Sequence, residues 1–504
     1  MKIIEKIEKI KEIWFLIFIS LFFFLLRLPS FIEPYWYGDE GVYEVIGMAL
    51  NNGRMLYSQI WDNKPPLLYL IYAIAHADQF TVRLLSAFFA IVSTILFYYL
   101  SKNLFRSHKI SSISTVIYVL LFATPILEGN ISNAENFMLL PIIAAGLLVY
   151  KASKIIVIAH AYKRVYVSLF SAGLLLGIAF LFKIVALFDF TAFFIFLTII
   201  YLPEKFSIHK NKRLYKDLVK KLVIYSVGFL IPVVLTILYF YIQGSIVDFI
   251  QATFFSNISY VGYKNKFIIS QGFILIKILA LFTVVALVFW KRKSIPQSVI
   301  FIIFWFFFSI FNAFFSGQIW THYLLVLLPS TALLFGLLFD RKAKKLRIVI
   351  LGLLLILVYS VNVFFKISIQ TIGKTFQYYR NFALFITNKR SLIKYQEYFD
   401  RRVPGDYAVA QFISNNTNPN DVIFIWGNNP QIYVLSNTLP PGKYTVEYHI
   451  SQSAKAIEET TDDLKRTRPK YIIILSDMTN IPFSVGGYMD KYNLEGVNIY
   501  ERTF

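Results

Sequence analysis

Residues 13–32 read IWFLIFISLFFFLLRLPSFI, twenty residues with a single charge at Arg27. About 20 apolar residues of α-helix cross the ~30 Å hydrocarbon core of a bilayer. The stretch is therefore predicted to span a membrane. Met1 to Glu12, just before it, mixes Lys with Glu, and no small-residue cleavage site follows. A retained first span is expected rather than a signal peptide. Ten further runs of the same kind follow, at 81–101, 110–127, 136–150, 167–182, 184–202, 222–242, 271–290, 298–315, 321–339 and 347–366. Lys183 and Asp189 interrupt the sixth of the eleven, and the fourth is short enough to need packing inside a bundle. Composition agrees. A chain of 504 residues would suggest about three soluble domains. Yet 57% of residues are hydrophobic, with 51 Phe and 33 Tyr, and only 16% are charged. A typical soluble domain has about 25% charged residues. A cytosolic globular enzyme, a disordered chain and a fibrous repeat are excluded. The predicted class is an all-α polytopic membrane bundle of about eleven transmembrane helices. There is no cysteine, so disulfides, thiolate metal sites and a catalytic thiol are excluded as well.

The net charge of +21 is a topology signal rather than a nucleic-acid footprint. The loops alternate: residues 1–12, 102–109, 151–166, 203–221, 291–297 and 340–347 carry 26 Lys and Arg. Residues 33–80, 128–135, 183–189, 243–270 and 316–320 carry five: Arg54, Lys64, Lys183, Lys264 and Lys266. The positive-inside rule then places the N-terminus in the cytoplasm of a multi-pass cell-membrane protein. After an odd number of spans, everything beyond 367 is expected outside.

That tail changes character. Polar turn clusters such as 415–421 appear, with short apolar strands at 422–426, 471–475 and 496–500 and helical stretches at 404–414 and 453–466. Strands alternating with helices predict a small α/β extracytoplasmic domain over 404–504 with a partly parallel sheet. Residues 367–403 read as a helical connector, and 1–366 as the transmembrane domain. No glycine-rich phosphate loop and no fixed-period repeat is present.

The outer acids concentrate in the first outer loop, 33–80. It reads Tyr35-Trp36-Tyr37-Gly38-Asp39-Glu40, then Trp61-Asp62-Asn63-Lys64-Pro65-Pro66-Leu67. Aromatics at 35–37, 57 and 61 suit a membrane-interface belt. Val42 to Asn51 can form an amphipathic helix at the interface, stopped by Gly53. Two adjacent acids directly after a span are costly unless solvated, paired or working. Lys64 reads equally as a snorkelling lysine. Pro65-Pro66 forces an extended backbone ahead of the next helix.

These residues, with Arg83-Leu84 opening the next span, resemble the lipid-linked-sugar glycosyltransferases of the GT-C superfamily, in particular the protein O-mannosyltransferase and aminoarabinose-transferase-like group. The resemblance extends over residues 30–200. His322-Tyr323-Leu324-Leu325 with Pro329, and the tail fragment Ile425 to Tyr433, are similar to pieces of bacterial members. The resemblance implies a polyprenyl-phosphate sugar donor and an acceptor hydroxyl on the outer face. It implies Asp39 as the base. Glu40, the second catalytic candidate, points elsewhere on an extended or helical segment and is read as orienting the acceptor or a metal. Lys64 is implied at the donor phosphate, and so is Lys183, which ends a Gly-x-x-x-x-x-Lys stretch beginning at Gly177. Glu135, in Asn133-Ala134-Glu135-Asn136, matches a second acidic position near the catalytic cavity. Arg83, His322 and Tyr323 are counted with Lys64, Lys183 and Glu135 as substrate-binding residues. A helix-end snorkel for Lys183, a solvated turn acid for Glu135 and a belt role for His322-Tyr323 stay open.

The residue types fit that chemistry. A phosphate leaving group needs positive charge where negative charge develops, not a general acid. Lysines supply it as point charges. A hydroxyl nucleophile needs a base. One base without a second carboxylate as covalent nucleophile implies direct displacement with inversion. No cofactor is required. A divalent cation at Asp39, Glu40 and Glu135 is open, although no His or Cys cluster supports a metal site. Two other readings compete: a transporter or flippase of polyprenyl-linked sugars, and a non-catalytic membrane anchor for the outer domain. Intramembrane charge and repeated halves would favour the transporter, whereas here the informative acids sit in outer loops. The acceptor (protein, lipid or glycan) and the sugar are not written in the sequence.

Overall fold

A computed structural model describes residues 2–155, 162–202, 208–258, 272–418, 421–475 and 481–503. Lys264 and Lys266 lie outside the described residues. The chain forms two compact units. The first comprises residues 1–28, 85–239 and 257–375, and the second 29–84, 240–256 and 376–504. The first outer loop thus belongs with the C-terminal residues rather than with the spans.

The first unit is a helical membrane bundle. Across the described residues, eight helices are long and apolar enough to cross a membrane by length and composition. The remaining three apolar runs form shorter helices, His108–Ala123, Gln297–Ala313 and Thr321–Leu337. Local chemistry sets some of their ends. The run at 110–127 stops because Pro125 cannot continue a helix and holds Thr124 extended, at φ −94 and ψ 159. Pro296 stands ahead of the second as its N-cap. The third is a 3-10 turn, Thr321–Leu327, before Leu328–Leu337 with Pro329 in its first turn. The interrupted sixth run behaves as its charges suggest. Tyr162–Phe182 ends, Lys183 is extended at φ −156 and ψ 127, and Leu187–Tyr201 begins after a 3-10 turn.

Gly177 has a packing reason to be glycine. A Cβ there would stand 2.4 Å from the Phe229 carbonyl, and one at Gly173 would stand 2.0 Å from that of Tyr225. Helices Tyr162–Phe182 and Ile208–Ile242 therefore meet backbone to backbone, as small residues four apart allow.

The second unit is α/β. Its sheet holds β1 (Ile423–Trp426), β2 (Tyr471–Ile474), β3 (Tyr488–Leu494) and β4 (Val497–Arg502), ordered β1-β2-β4-β3. β1 and β2 are parallel, and the other pairs are antiparallel. Phe424, Trp426, Ile450, Ile472, Ile474 and Phe483 form its core. Ser453 caps helix Ala454–Thr467 by accepting the Ala456 N–H at 3.1 Å.

Two expectations about the first outer loop are corrected. Helix Gly38–Asn51 is buried from Glu40 through Gly47, charged residues included, instead of keeping one wet face. It crosses helix Pro66–Ile74 so closely that a Cβ at Gly47 would fall 2.8 Å from the Tyr72 backbone. Tyr57 and Trp61 are core residues rather than belt residues. Tyr57 packs on Phe240 and Phe249 with ring centroids 5.3 and 5.6 Å away, and Trp61 packs on Tyr444 and His449.

Candidate functional site

Asp39 and Glu40 open helix Gly38–Asn51, where the helix dipole favours acids. Consecutive helical residues diverge by about 100°, so the two carboxylates part. Glu40 turns to Arg83, with contacts of 2.5 Å to Nη2 and 3.2 Å to Nε. Arg83 also meets Glu33 at 3.1 Å and donates to the Ser30 carbonyl at 2.6 Å. Tyr378 donates to Glu33 at 2.5 Å. The group is sealed, with the Arg83, Glu33 and Glu40 side chains 0%, 0% and 2% exposed. One turn further, Glu44 is buried with neither carboxylate oxygen hydrogen-bonded. Burial, and next the Glu40 charge, push its pKa well above the usual carboxylate range.

Asp39 takes the other direction and stays half-buried. The Tyr43 hydroxyl, one turn along, donates to it at 3.4 Å. The Lys64 ammonium sits 4.8 Å from the centre of the same tyrosine ring. One side chain thus touches both the candidate base and the candidate cation.

Lys64 is held from several sides. Its N–H donates to the Tyr69 hydroxyl at 3.1 Å, and its carbonyl accepts from Tyr57 at 2.7 Å. Pro65 is extended, and Pro66 starts the next helix. The ammonium lies 3.4 Å from Asp62, which also accepts the Tyr69 hydroxyl at 2.8 Å and the Asn63 N–H at 2.7 Å. Burial works against ionisation of Asp62. The Lys64 ammonium, the His449 ring and these hydrogen bonds outweigh it and hold the carboxyl below its ordinary range. His449 Nε2 is 3.6 Å from Asp62, while Nδ1 is buried without a hydrogen bond. Burial pushes the His449 pKa down to about 4, against the pull of Asp62.

The first unit has a cluster of similar construction. Glu135 lies in the first turn of helix Ala134–Lys154 and pairs with Lys183 from the extended break. The Lys183 ammonium is 4.2 Å from the Tyr323 ring centre. Beside Tyr323, His322 Nδ1 meets Glu128 at 3.0 Å. Both amide atoms of buried Asn133 lack hydrogen-bond partners. Among the described residues, no group of three or more His, Cys, Asp or Glu is arranged to hold a metal ion.

The structure thus joins Asp39 to Lys64 through Tyr43, and joins Glu135, Lys183 and Tyr323. It places Glu40 and Arg83 together in the sealed pair. Sequence reasoning missed Tyr43, Asp62, Tyr69, Glu33, Glu128 and His449. Tyr43 had a signal, four residues from Asp39 on one helix face. Asp62 had one too, two residues before Lys64. His449 had none, since it comes from a distant helix.

Comparison with known proteins adds to this geometry. The family model for dolichyl-phosphate-mannose-protein mannosyltransferases matches residues 53–247. No curated protein matches by sequence. The fold is similar to that of ArnT from Cupriavidus metallidurans bound to undecaprenyl phosphate, with a TM-score of 0.58, 11% identity and 97% of each chain covered. The apo state of that protein gives 0.54 and 12%, again over 97% of each chain. The oligosaccharyltransferase AglB from Archaeoglobus fulgidus, in complex with an inhibitory peptide and a dolichol-phosphate, gives 0.48 and 13%, over 93% of this chain and 69% of that one.

Proposed function

We propose that this multi-pass membrane glycosyltransferase, which resembles the protein O-mannosyltransferase and ArnT-like GT-C enzymes, moves a sugar from a polyprenyl-phosphate donor to an acceptor hydroxyl at the outer face of the cell membrane, with inversion. The N-terminus is then cytoplasmic and the second unit outside, as the loop charges require.

The observation that carries the reading is Tyr43, which touches Asp39 through its hydroxyl and Lys64 through its ring. A base for a hydroxyl and a cation for a phosphate stand side by side. Asp39 takes the proton from the acceptor as it attacks the anomeric carbon. The bond from that carbon to the phosphate oxygen breaks, and the electron pair leaves with the polyprenyl phosphate. Lys64 faces the charge that develops on that oxygen. Lys183 has the same equipment, a lysine on a buried carboxylate and a tyrosine ring, and is assigned the same kind of task. Glu40 and Arg83 hold the helix that presents Asp39 and act by positioning.

The test works whichever acceptor the enzyme uses. Mass spectrometry is run on surface glycans and polyprenyl-phosphate sugars in a strain lacking the protein. One polyprenyl-phosphate sugar should accumulate while one sugar disappears from a surface glycan. Reintroducing the wild type should reverse both changes, and Asp39→Asn should reverse neither. Unchanged glycans and an unchanged donor pool contradict the reading.

A further inference from the structure

The helix Arg347–Phe365 belongs to a span. It ends at Lys366, which adopts the left-handed conformation at φ 54. A new helix, Ile369–Ile386, starts after a turn in which the Thr371 N–H donates to the Ser368 carbonyl at 2.9 Å. Three residues reach at most about 10 Å. The new helix therefore begins at the membrane surface.

Its two faces differ. Tyr378 and Asn381 are buried, and the Phe385 ring stacks on Tyr395 with centroids 4.1 Å apart. On the opposite face, Ile372, Phe376 and Ile386 are 61%, 74% and 52% exposed. At 100° per residue these three fall within about 80° of one another. Leu392 and Ile393 in the following helix, Leu392–Glu397, are exposed as well. Large apolar side chains grouped on one exposed face mark an interaction surface.

The charge says what covers it. Residues 366–394 contain Lys366, Lys374, Arg380, Lys389, Arg390 and Lys394, and no Asp or Glu. All but Arg390 are exposed. An apolar stripe with cations around it, starting within a few residues of a span, has the composition of a helix that lies in the head-group layer. Clustered cations next to a span favour anionic lipid.

We propose that Ile369–Ile386 lies in the membrane interface and binds anionic phospholipid head groups, with Ile372, Phe376 and Ile386 dipped among the acyl chains. The segment then tethers the second unit to the bilayer surface in addition to joining it to the last span. This holds whatever reaction the protein performs.

The chain has no cysteine, so single cysteines can be placed and spin-labelled in the full-length protein without background. Labels at 376 and 377 would be compared in nanodiscs of phosphatidylcholine, with and without phosphatidylglycerol. In anionic discs, the label at 376 should be reached by oxygen several-fold better than by a water-soluble nickel chelate, and the label at 377 should show the reverse. Replacing Arg380, Lys389 and Lys394 with Gln, or omitting phosphatidylglycerol, should shift position 376 toward the nickel reagent. Equal access at both positions overturns the proposal. So does protection of 376 from both reagents, which would mean a protein partner such as a second copy. Insertion that ignores lipid charge and the Gln substitutions overturns the anionic-lipid assignment.

Discussion

Arg83 and Lys64 belong to the same unit and both face carboxylates, yet they are built differently. Arg83 lies between Glu33 and Glu40 with no solvent access and with its remaining donors on a backbone carbonyl. The Lys64 side chain is 20% exposed, and Lys183 in the other unit is 15% exposed. Each ammonium rests on a tyrosine ring and one carboxylate. A sealed guanidinium with two carboxylates has no room for a further anion. A lysine that keeps an open side can meet a phosphate while its carboxylate holds it in place. The difference separates a sealed charge from charges that still reach solvent.

The largest effect is expected from Arg83→Ala. It leaves two carboxylates buried without their cation, and removing one partner of such a group typically costs about 3–5 kcal/mol. The protein should lose folded yield in detergent, as read by size-exclusion chromatography and melting temperature. A variant that folds normally and loses only turnover would move Arg83 into the catalytic machinery.

Lys64→Ala and Lys183→Ala should do the opposite, keeping the fold and losing donor affinity. Hydrogen bonds to charged groups contribute about 1.5–3 kcal/mol, or roughly 10- to 150-fold in Kd. Titration with a polyprenyl-phosphate sugar measures this directly. Unchanged affinity in either variant rejects that lysine. Lys64→Arg should recover part of the loss, because the charge returns with a different geometry.

A smaller effect comes from pH. The pKa of His449 is lowered to about 4 in the folded protein, against about 6.5 unfolded. As pH falls from 7 to 5, the unfolded chain takes up a proton that the folded chain refuses. Stability should therefore fall on acidification, by up to about 2 kcal/mol from this group. His449→Gln should flatten that part of the pH dependence of the melting temperature. An identical pH profile in wild type and variant would contradict the buried neutral ring.

The sequence announced the spans because most of the apolar runs are long and carry few charges. It did not mark where individual helices stop, because Pro125 and Pro329 act locally and their effect emerges only once the backbone is built. Strands β1, β2 and β4 were legible as apolar runs between turn signals. β3 was not, because Tyr488–Leu494 is largely exposed and polar and is held by pairing with β4 through the turn at Glu495-Gly496, both at positive φ. In the candidate site, Asp39, Lys64, Glu135 and Lys183 stood out as charges in apolar surroundings. Two of the partners that distinguish a sealed group from an open one, Tyr378 and His449, come from elsewhere in the chain and leave no local pattern.

The proposed division of labour makes Asp39 the base and leaves Glu40 to position the helix. It is tested most directly by transfer from a purified polyprenyl-phosphate sugar in nanodiscs, with membrane extract supplying the acceptor, comparing Asp39→Asn with wild type. Loss of a general base costs about 100- to 10,000-fold in rate. The rate of Asp39→Asn should fall in that range with donor affinity close to wild type. Transfer within a few-fold of wild type would contradict it and pass the role of base to another carboxylate, with Glu135 the next to test.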